Sequence, residues 1–121
     1  MLREVIANHG RAAAGRRWFT DPVMDLYVWE GAGGTVERFQ LCCRLGTVEQ
    51  AIEWDCGAGY RVSSVDDGEP GGGTYKQTPL LAVGGSFAKR AVQALFAGAS
   101  RELAPALTEF IAARLEAYEG N

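Results

Sequence analysis

Residues 24–43, MDLYVWEGAGGTVERFQLCC, are the stretch of the chain that decides the fold. Met24–Glu30 and Thr35–Cys43 are rich in the β-branched and aromatic residues that favour strands. Between them, Gly31-Ala-Gly-Gly34 supplies glycines that tolerate positive φ, as a tight reversal of the chain requires. The pattern predicts a β-hairpin at the centre of a sheet that runs from about Trp18 to Val65.

The loop length predicts which residues of the hairpin pair. If the loop consists of residues 31–34, Glu30 pairs with Thr35 and Tyr27 pairs with Arg38. Because side chains alternate across a strand, one face then carries the apolar side chains of Met24, Leu26, Val28, Phe39, Leu41 and Cys43. The other face carries Asp25, Tyr27, Trp29, Val36, Arg38, Gln40 and Cys42. The first set predicts a core face, and the second predicts a mixed aromatic and polar face.

The segments beside the hairpin predict further strands. Arg16–Thr20 precedes the hairpin, and Glu49–Asp55 and Tyr60–Val65 follow it after short turns. Loops this short make neighbouring strands antiparallel, because a parallel return needs a crossover of about a dozen residues. A further short strand within Thr78–Val83 would lie at a sheet edge, because Pro79 lacks the N–H that a central strand donates.

Two helices are predicted after the strands. Ser86 has the chemistry of an N-cap for a helix over Phe87–Ala97, which Gly98 would end. Pro105 suits the first turn of a second helix that begins at about Ala104. The apolar stripe of this second helix consists of Leu107, Phe110, Ile111, Leu115 and Tyr118.

This order of elements predicts an α+β fold. We expect an antiparallel β-meander of four or five strands, with the two C-terminal helices packed on one face. A chain of 121 residues is long enough to bury one core. We therefore expect residues 16–121 to form a single domain and residues 1–15 to form an N-terminal tail or a short helix.

Composition and charge limit the classes of function. A net charge of −3 argues against a nucleic-acid partner. No apolar run approaches the ~20 residues that span a bilayer, and no signal peptide begins the chain, so we expect a cytoplasmic protein without membrane contact. The odd number of cysteines, Cys42, Cys43 and Cys56, predicts free thiols, and their spacing does not match a metal site.

The mixed face of the hairpin is the first candidate site. Tyr27, Trp29, Arg38 and Gln40 are predicted to lie together there. Aromatic residues and arginine are enriched at binding hot spots, and Tyr27 would stack across the strands on Arg38. An antiparallel sheet with helices on one face leaves its other face available to a partner, and the alternative is that the N-terminal segment or residues 66–77 cover it. The sequence predicts binding of an unknown protein partner, or of a second copy as a homodimer, through this face.

The acidic loop after the strands is the alternative site. Asp66, Asp67 and Glu69 could supply oxygen ligands for Mg²⁺ or Ca²⁺ in a small metal-dependent enzyme or a ligand-binding protein. The spacing lacks the alternation of an EF-hand loop, so a solvated turn fits it better than a metal site. Glu53 and Asp55 point the same way from one strand and could form an acid–base pair.

Other chemistry has no support in the sequence. The single histidine, His9, excludes a Ser-His-Asp triad or a multi-histidine metal site near the predicted sheet. The glycines at 71–73 do not match the phosphate-binding loop pattern. We therefore name no catalytic residue and expect no cofactor.

Several motifs together resemble a known group of proteins. They are RWFxD at 17–21, DLxVW at 25–29, FQLC at 39–42, VDDGE at 65–69 and TPLL at 78–81. The set resembles small, single-domain bacterial proteins for which no activity is established, over about residues 16–118. The resemblance implies a bacterial protein of the same fold, but it assigns no functional residue.

Overall fold

The strands follow one another across one antiparallel sheet, and the helices come last. The computed structural model describes residues 1–5, 16–66, 78–79 and 87–119. Within these residues the sheet contains, in spatial order, β1 (Arg3–Val5), β2 (Arg16–Thr20), β3 (Met24–Glu30), β4 (Val36–Leu45), β5 (Val48–Asp55), β6 (Gly59–Asp66) and β7 (Thr78–Pro79). The helices are α1 (Lys89–Ala99) and α2 (Pro105–Ala117). The predicted α+β class and antiparallel meander are confirmed.

The sheet has more strands than the four or five that the sequence predicts, because short strands extend both edges. β1 pairs with β2, and β7 pairs with β6. β1 differs from the tail or short helix expected at the N-terminus. The sequence does not predict it, because three residues are too few to show the alternation of a strand. Residues 6–15 lie outside the described part of the chain. Pro79 pairs only with β6 among the described strands, as expected for a residue without an N–H.

The pairing of β3 with β4 is shifted by two residues from the predicted register. Trp29 pairs with Arg38, and Tyr27 pairs with Gln40 instead of with Arg38. Because side chains alternate with a period of two, this shift keeps the side chains of Met24–Trp29 and of residues 38–43 on their predicted faces. Val36 lies beyond the bulge, pairs with Glu30 and packs against the core instead of lying on the mixed face. The predicted pairs are wrong. The predicted core face is confirmed, and the predicted mixed face is confirmed except for Val36.

The turn between β3 and β4 accounts for the shift. A β-bulge interrupts the ladder at Glu30. The loop is five residues long rather than four and is closed by the Gly31 N–H, which donates to the carbonyl oxygen of Thr35 at 2.8 Å. Gly33 and Gly34 have φ angles of 84° and 83°, a region that residues with a Cβ rarely adopt. The glycines make the reversal, but loop length alone does not reveal the bulge.

The core lies between the sheet and the two helices. All six residues of the predicted core face have no solvent exposure: Met24, Leu26, Val28, Phe39, Leu41 and Cys43. Helical side chains cover them, among which the most buried are Val92, Phe96, Ile111 and Leu115. The predicted packing of both helices on one face of the sheet is therefore confirmed.

The start of α1 differs from the prediction by two residues. Phe87 precedes the helix and is buried in the core. The predicted cap, Ser86, lies outside the described residues. The Ala88 N–H donates instead to the side-chain oxygen of Gln50 at 2.8 Å, so β5 holds the entry to the helix. Gly98 lies inside α1, because the helix continues to Ala99.

α2 begins as predicted, and a lysine of α1 completes its other end. Pro105 occupies the first turn, where a missing N–H costs no hydrogen bond. Lys89 Nζ donates to the carbonyl oxygens of Glu116 and Tyr118 at 2.8 Å each. These contacts satisfy carbonyls that the end of a helix leaves without partners.

A buried carboxylate organises the turn between β2 and β3. The side chain of Asp21 is 4% exposed, and its Oδ1 accepts the N–H groups of Val23 at 2.7 Å and Met24 at 2.9 Å. Its Oδ2 lies 3.0 Å from the α-amino group of Met1. Burial raises the pKa of Asp21, but the hydrogen bonds and the amine outweigh it and lower the pKa below its ordinary value of 3.8.

We expect Asp21→Asn to lower the free energy of unfolding by about 1–2 kcal/mol near neutral pH, because the amide loses the charge that strengthens these hydrogen bonds. Since the folded-state pKa is lowered, the wild-type carboxylate contributes stability above its unfolded pKa and loses it as the pH falls through the folded value. Denaturant unfolding measures the difference between the two proteins. It should shrink below about pH 4, and a difference that stays constant in acid would contradict this role.

Candidate functional site

Three aromatic side chains form a row on the sheet face opposite the helices, which we call the outer face. Trp18 of β2 and Tyr27 of β3 are paired residues, and their rings stack with centroids 5.9 Å apart and an angle of 9° between planes. Tyr27 and Trp29 lie 6.4 Å apart at 34°. All three are partly exposed. We call Trp18, Tyr27 and Trp29 the aromatic ridge.

Two arginines stack on the aromatic ridge. The guanidinium carbon of Arg38 lies 4.4 Å from the centre of the Trp29 ring, and that of Arg16 lies 5.4 Å from the centre of the Tyr27 ring. Both distances are within the ~6 Å range of a cation–π interaction. The predicted stacking of Arg38 on Tyr27 is wrong, because the observed register places Arg38 opposite Trp29.

Carboxylates contact Trp18 of the ridge and Arg38 and hold these two side chains in place. Asp25 Oδ1 accepts hydrogen bonds from the Trp18 indole at 3.2 Å and from the Thr20 hydroxyl at 2.5 Å. Arg38 forms an ion pair with Glu53 on β5. The Nε of Arg38 is buried without a hydrogen-bond partner among the described residues, as its stacking against Trp29 explains. Intrachain contacts thus fix the arrangement before any partner arrives.

The four predicted binding residues lie on the outer face. Tyr27 and Trp29 belong to β3, and Arg38 and Gln40 face them from β4. Their role in binding stays a prediction. Trp18 is not among the predicted binding residues, although the strand that carries it is predicted, because no local signal aligns that strand with β3. The signal that could have found it is the apolar Phe19 next to it: since Phe19 is buried, Trp18 points to the outer face.

A polar cleft lies on the outer face next to the ridge, and Arg38 borders both. Its volume is about 230 Å³, and its lining consists of Arg38, Glu53, Asp55, Ala58, Gly59, Tyr60 and Arg61. We call it the cleft. Because Gly59 carries no side chain, the cleft is open above the start of β6.

The carboxylates of the cleft do not form the acid–base pair considered from the sequence. Glu53 is engaged with Arg38. Asp55 accepts the N–H groups of Gly57 at 2.7 Å and Ala58 at 3.0 Å, and these hydrogen bonds lower its pKa. An anchored carboxylate with a lowered pKa stays ionised near neutral pH and is poorly suited to proton transfer. The observations give Glu53 and Asp55 a structural role.

The predicted metal site falls mostly outside the described residues. Asp66 is the last residue of β6, and Asp67 and Glu69 are not among the described residues. In residues 1–5, 16–66, 78–79 and 87–119, no group of three or more His, Cys, Asp or Glu side chains could hold a metal ion. The metal site on Asp66, Asp67 and Glu69 stays a prediction.

Comparisons with known proteins do not assign this chain to a family. No family model matches it, and searches of curated proteins and of solved structures gave no match. The resemblance to small bacterial proteins therefore stays a prediction. Among the described helices, none is long and apolar enough to cross a membrane.

The three cysteines differ in their surroundings. Cys42 and Cys43 are neighbours on β4 with side chains on opposite faces, and both are buried. Burial raises the pKa of each thiol to about 12. Cys56 is exposed in the turn after β5. Because the thiolate is the nucleophile, Cys42 and Cys43 are unreactive in the folded protein.

We expect iodoacetamide at about pH 8 to modify one thiol of the folded protein, Cys56, because its side chain is exposed whereas Cys42 and Cys43 are buried. Mass spectrometry counts the adducts, and unfolding in denaturant should raise the number to three. Cys56→Ser is the control and should leave the folded protein unlabelled. Rapid labelling of Cys42 in the folded protein would show that the outer face opens.

We expect Arg38→Ala to lower the free energy of unfolding by no more than about 1 kcal/mol, because cation–π and ion-pair contacts at partly exposed sites contribute little. Denaturant unfolding measures the change. The matched control is Arg90→Ala, which removes the same side chain from an exposed position of α1. A loss above about 3 kcal/mol would assign Arg38 mainly to the stability of the fold.

Proposed function

We propose that this protein is a non-enzymatic interaction module that binds a protein partner through its outer face. The observation that carries the proposal is the aromatic ridge, with Arg38 stacked on Trp29 at a partly exposed surface. Tryptophan, tyrosine and arginine are the residues most enriched at binding hot spots. These residues cannot serve the core, because the core lies on the other side of the sheet. Their composition fits a binding surface instead.

The fixed geometry of the ridge favours binding. Trp18 is held by Asp25, and Arg38 is held by Glu53 and Trp29. Ordering a flexible side chain at an interface costs roughly 0.5–1.5 kcal/mol. Side chains that are already fixed in the free protein avoid most of this cost, so binding through the ridge loses little conformational entropy.

The stacking within the ridge favours a protein over a nucleic acid or a planar ligand. Tyr27 stacks with Trp18, and Trp29 lies against Arg38. Bases bind proteins by stacking on open ring faces, and these contacts already use faces of the rings. The ridge therefore presents ring edges and polar tips, which suit the side chains and backbone of a protein.

The charges of the outer face also favour a protein. The paired residues of β2–β6 place four arginines there, Arg16, Arg38, Arg44 and Arg61. They also place four carboxylates there, Asp25, Glu49, Glu53 and Asp55. A phosphate backbone requires an excess of positive charge, which this balanced surface lacks.

The proposal includes a cytoplasmic location. Cys42, Cys43 and Cys56 are free thiols. Unpaired cysteines are typical of a reducing compartment, where disulfides do not persist.

Photo-crosslinking in living cells tests the proposal. We place a benzophenone amino acid at Gln40, which is partly exposed beside the ridge, and at Arg90 on α1 as the matched control. We expect a discrete protein adduct from position 40 and none from position 90, because only the outer face contacts the partner. Mass spectrometry identifies the adduct.

A second variant shows whether the adduct depends on the ridge. Trp29→Ala in the position-40 protein should reduce the adduct at least fivefold, with circular dichroism confirming that the protein is folded. Equal adducts from both positions, or no adduct from position 40, would contradict the proposed function.

A further inference from the structure

We infer that the partner of the outer face is a second copy of this chain, with the aromatic ridge of each copy docked into the cleft of the other across a two-fold axis. This inference rests on the proposed function, since it uses the same face.

The ridge and the cleft lie in the same rows of the sheet. One row runs across the strands through Trp29, Arg38, Asp55 and Gly59. The next row runs through Tyr27, Gln40, Glu53 and Arg61. In both rows the ridge residue is on β3, and the cleft extends to its far side on β6. The boundary between β4 and β5 is therefore equally far from the ridge residues on β3 and the cleft residues on β6.

A two-fold axis parallel to the strands and above this boundary exchanges ridge and cleft. It lays β3 of one copy over β6 of the other, and β4 over β5. Trp29 then lies over Gly59 of the second copy, where the missing side chain leaves space, and Tyr27 lies over Arg61 of the second copy. Each copy supplies one protrusion and one depression, as a closed two-fold interface requires.

The charges are complementary under the same operation. Arg38 of one copy lies over Asp55 of the other, and Gln40 lies over Glu53. Only Oδ1 of Asp55 is used by the turn N–H groups in the described residues. The Tyr27 hydroxyl and the Trp29 indole N–H are further hydrogen-bond donors on the ridge. Under the two-fold operation these donors lie one strand away from Asp55 and Glu53 of the second copy, whose carboxylates are hydrogen-bond acceptors.

The area of the face predicts a weak dimer. Five strands about 4.8 Å apart, each with about seven residues at 3.3 Å, cover a flat area of roughly 550 Å². A standard stable interface buries about 800 Å² on each partner. We therefore expect a dissociation constant in the micromolar range and two sheets packed face to face at about 10 Å.

Sedimentation velocity on the full chain tests the inference. The protein concentration runs from about 1 to 500 μM, a range that brackets the expected dissociation constant. The wild type should change from monomer to dimer. Trp29→Ala removes the centre of the ridge, and Arg61→Glu reverses an exposed charge of the cleft. Each should raise the dissociation constant at least tenfold. Arg90→Glu makes the same charge change on α1 and should leave it unchanged.

Mixing the two variants tests the docking of ridge into cleft. In an equimolar mixture, the Arg61→Glu chain still has an intact ridge, and the Trp29→Ala chain still has an intact cleft. One of the two contacts is therefore restored in a mixed dimer, which should form at least threefold more tightly than either variant with itself. A variant that is unfolded by circular dichroism is replaced by Trp29→Phe or Arg61→Gln.

The outcomes separate this inference from the proposed function. A wild type that stays monomeric while position 40 crosslinks to a different protein overturns the inference and leaves the proposed function standing. A monomer without any crosslink overturns both. A dimer that tolerates both variants, or a mixture that associates no better than its components, also overturns the inference, because the contact then lies elsewhere.

Discussion

The alternation of side chains along β4 is the constraint on which the rest of the structure depends. Phe39, Leu41 and Cys43 point to the helices and are completely buried. Arg38 and Gln40, their neighbours in sequence, point to the outer face. Because the strands pair in chain order, this division continues into β3 and β5. A shift by one residue would bury Arg38 and expose Phe39, so the core fixes the orientation of the candidate interface.

The features that the sequence predicts well are those that depend on a repeat along the chain. The core face of the hairpin follows from a period of two, and the buried stripe of α2, which includes Leu107, Ile111 and Leu115, follows from a helical period. Such patterns survive errors in register. Tyr27, Trp29, Arg38 and Gln40 were placed on one face for this reason, although their pairs were wrong.

The features that the sequence does not predict depend on contacts between segments. The bulge at Glu30 leaves no mark in the composition of the loop, so the stacking of Arg38 on Trp29 could not be inferred. β1 is too short to show a pattern, and it forms because β2 offers an edge with which it can pair. The alignment of Trp18 with Tyr27, and the cleft between β4 and β6, arise from pairings that no single strand encodes.

The order of the elements has a consequence for the newly synthesised chain. Neighbouring strands pair with neighbours in sequence, and such short-range pairing closes quickly. The helices that cover Phe39 and Ile52 are translated after every strand. A ribosome-bound chain can therefore complete most of its sheet while the apolar face has no cover, and exposed apolar surface of this kind promotes aggregation. The speed with which α1 and α2 reach the sheet sets how long each nascent chain carries that risk.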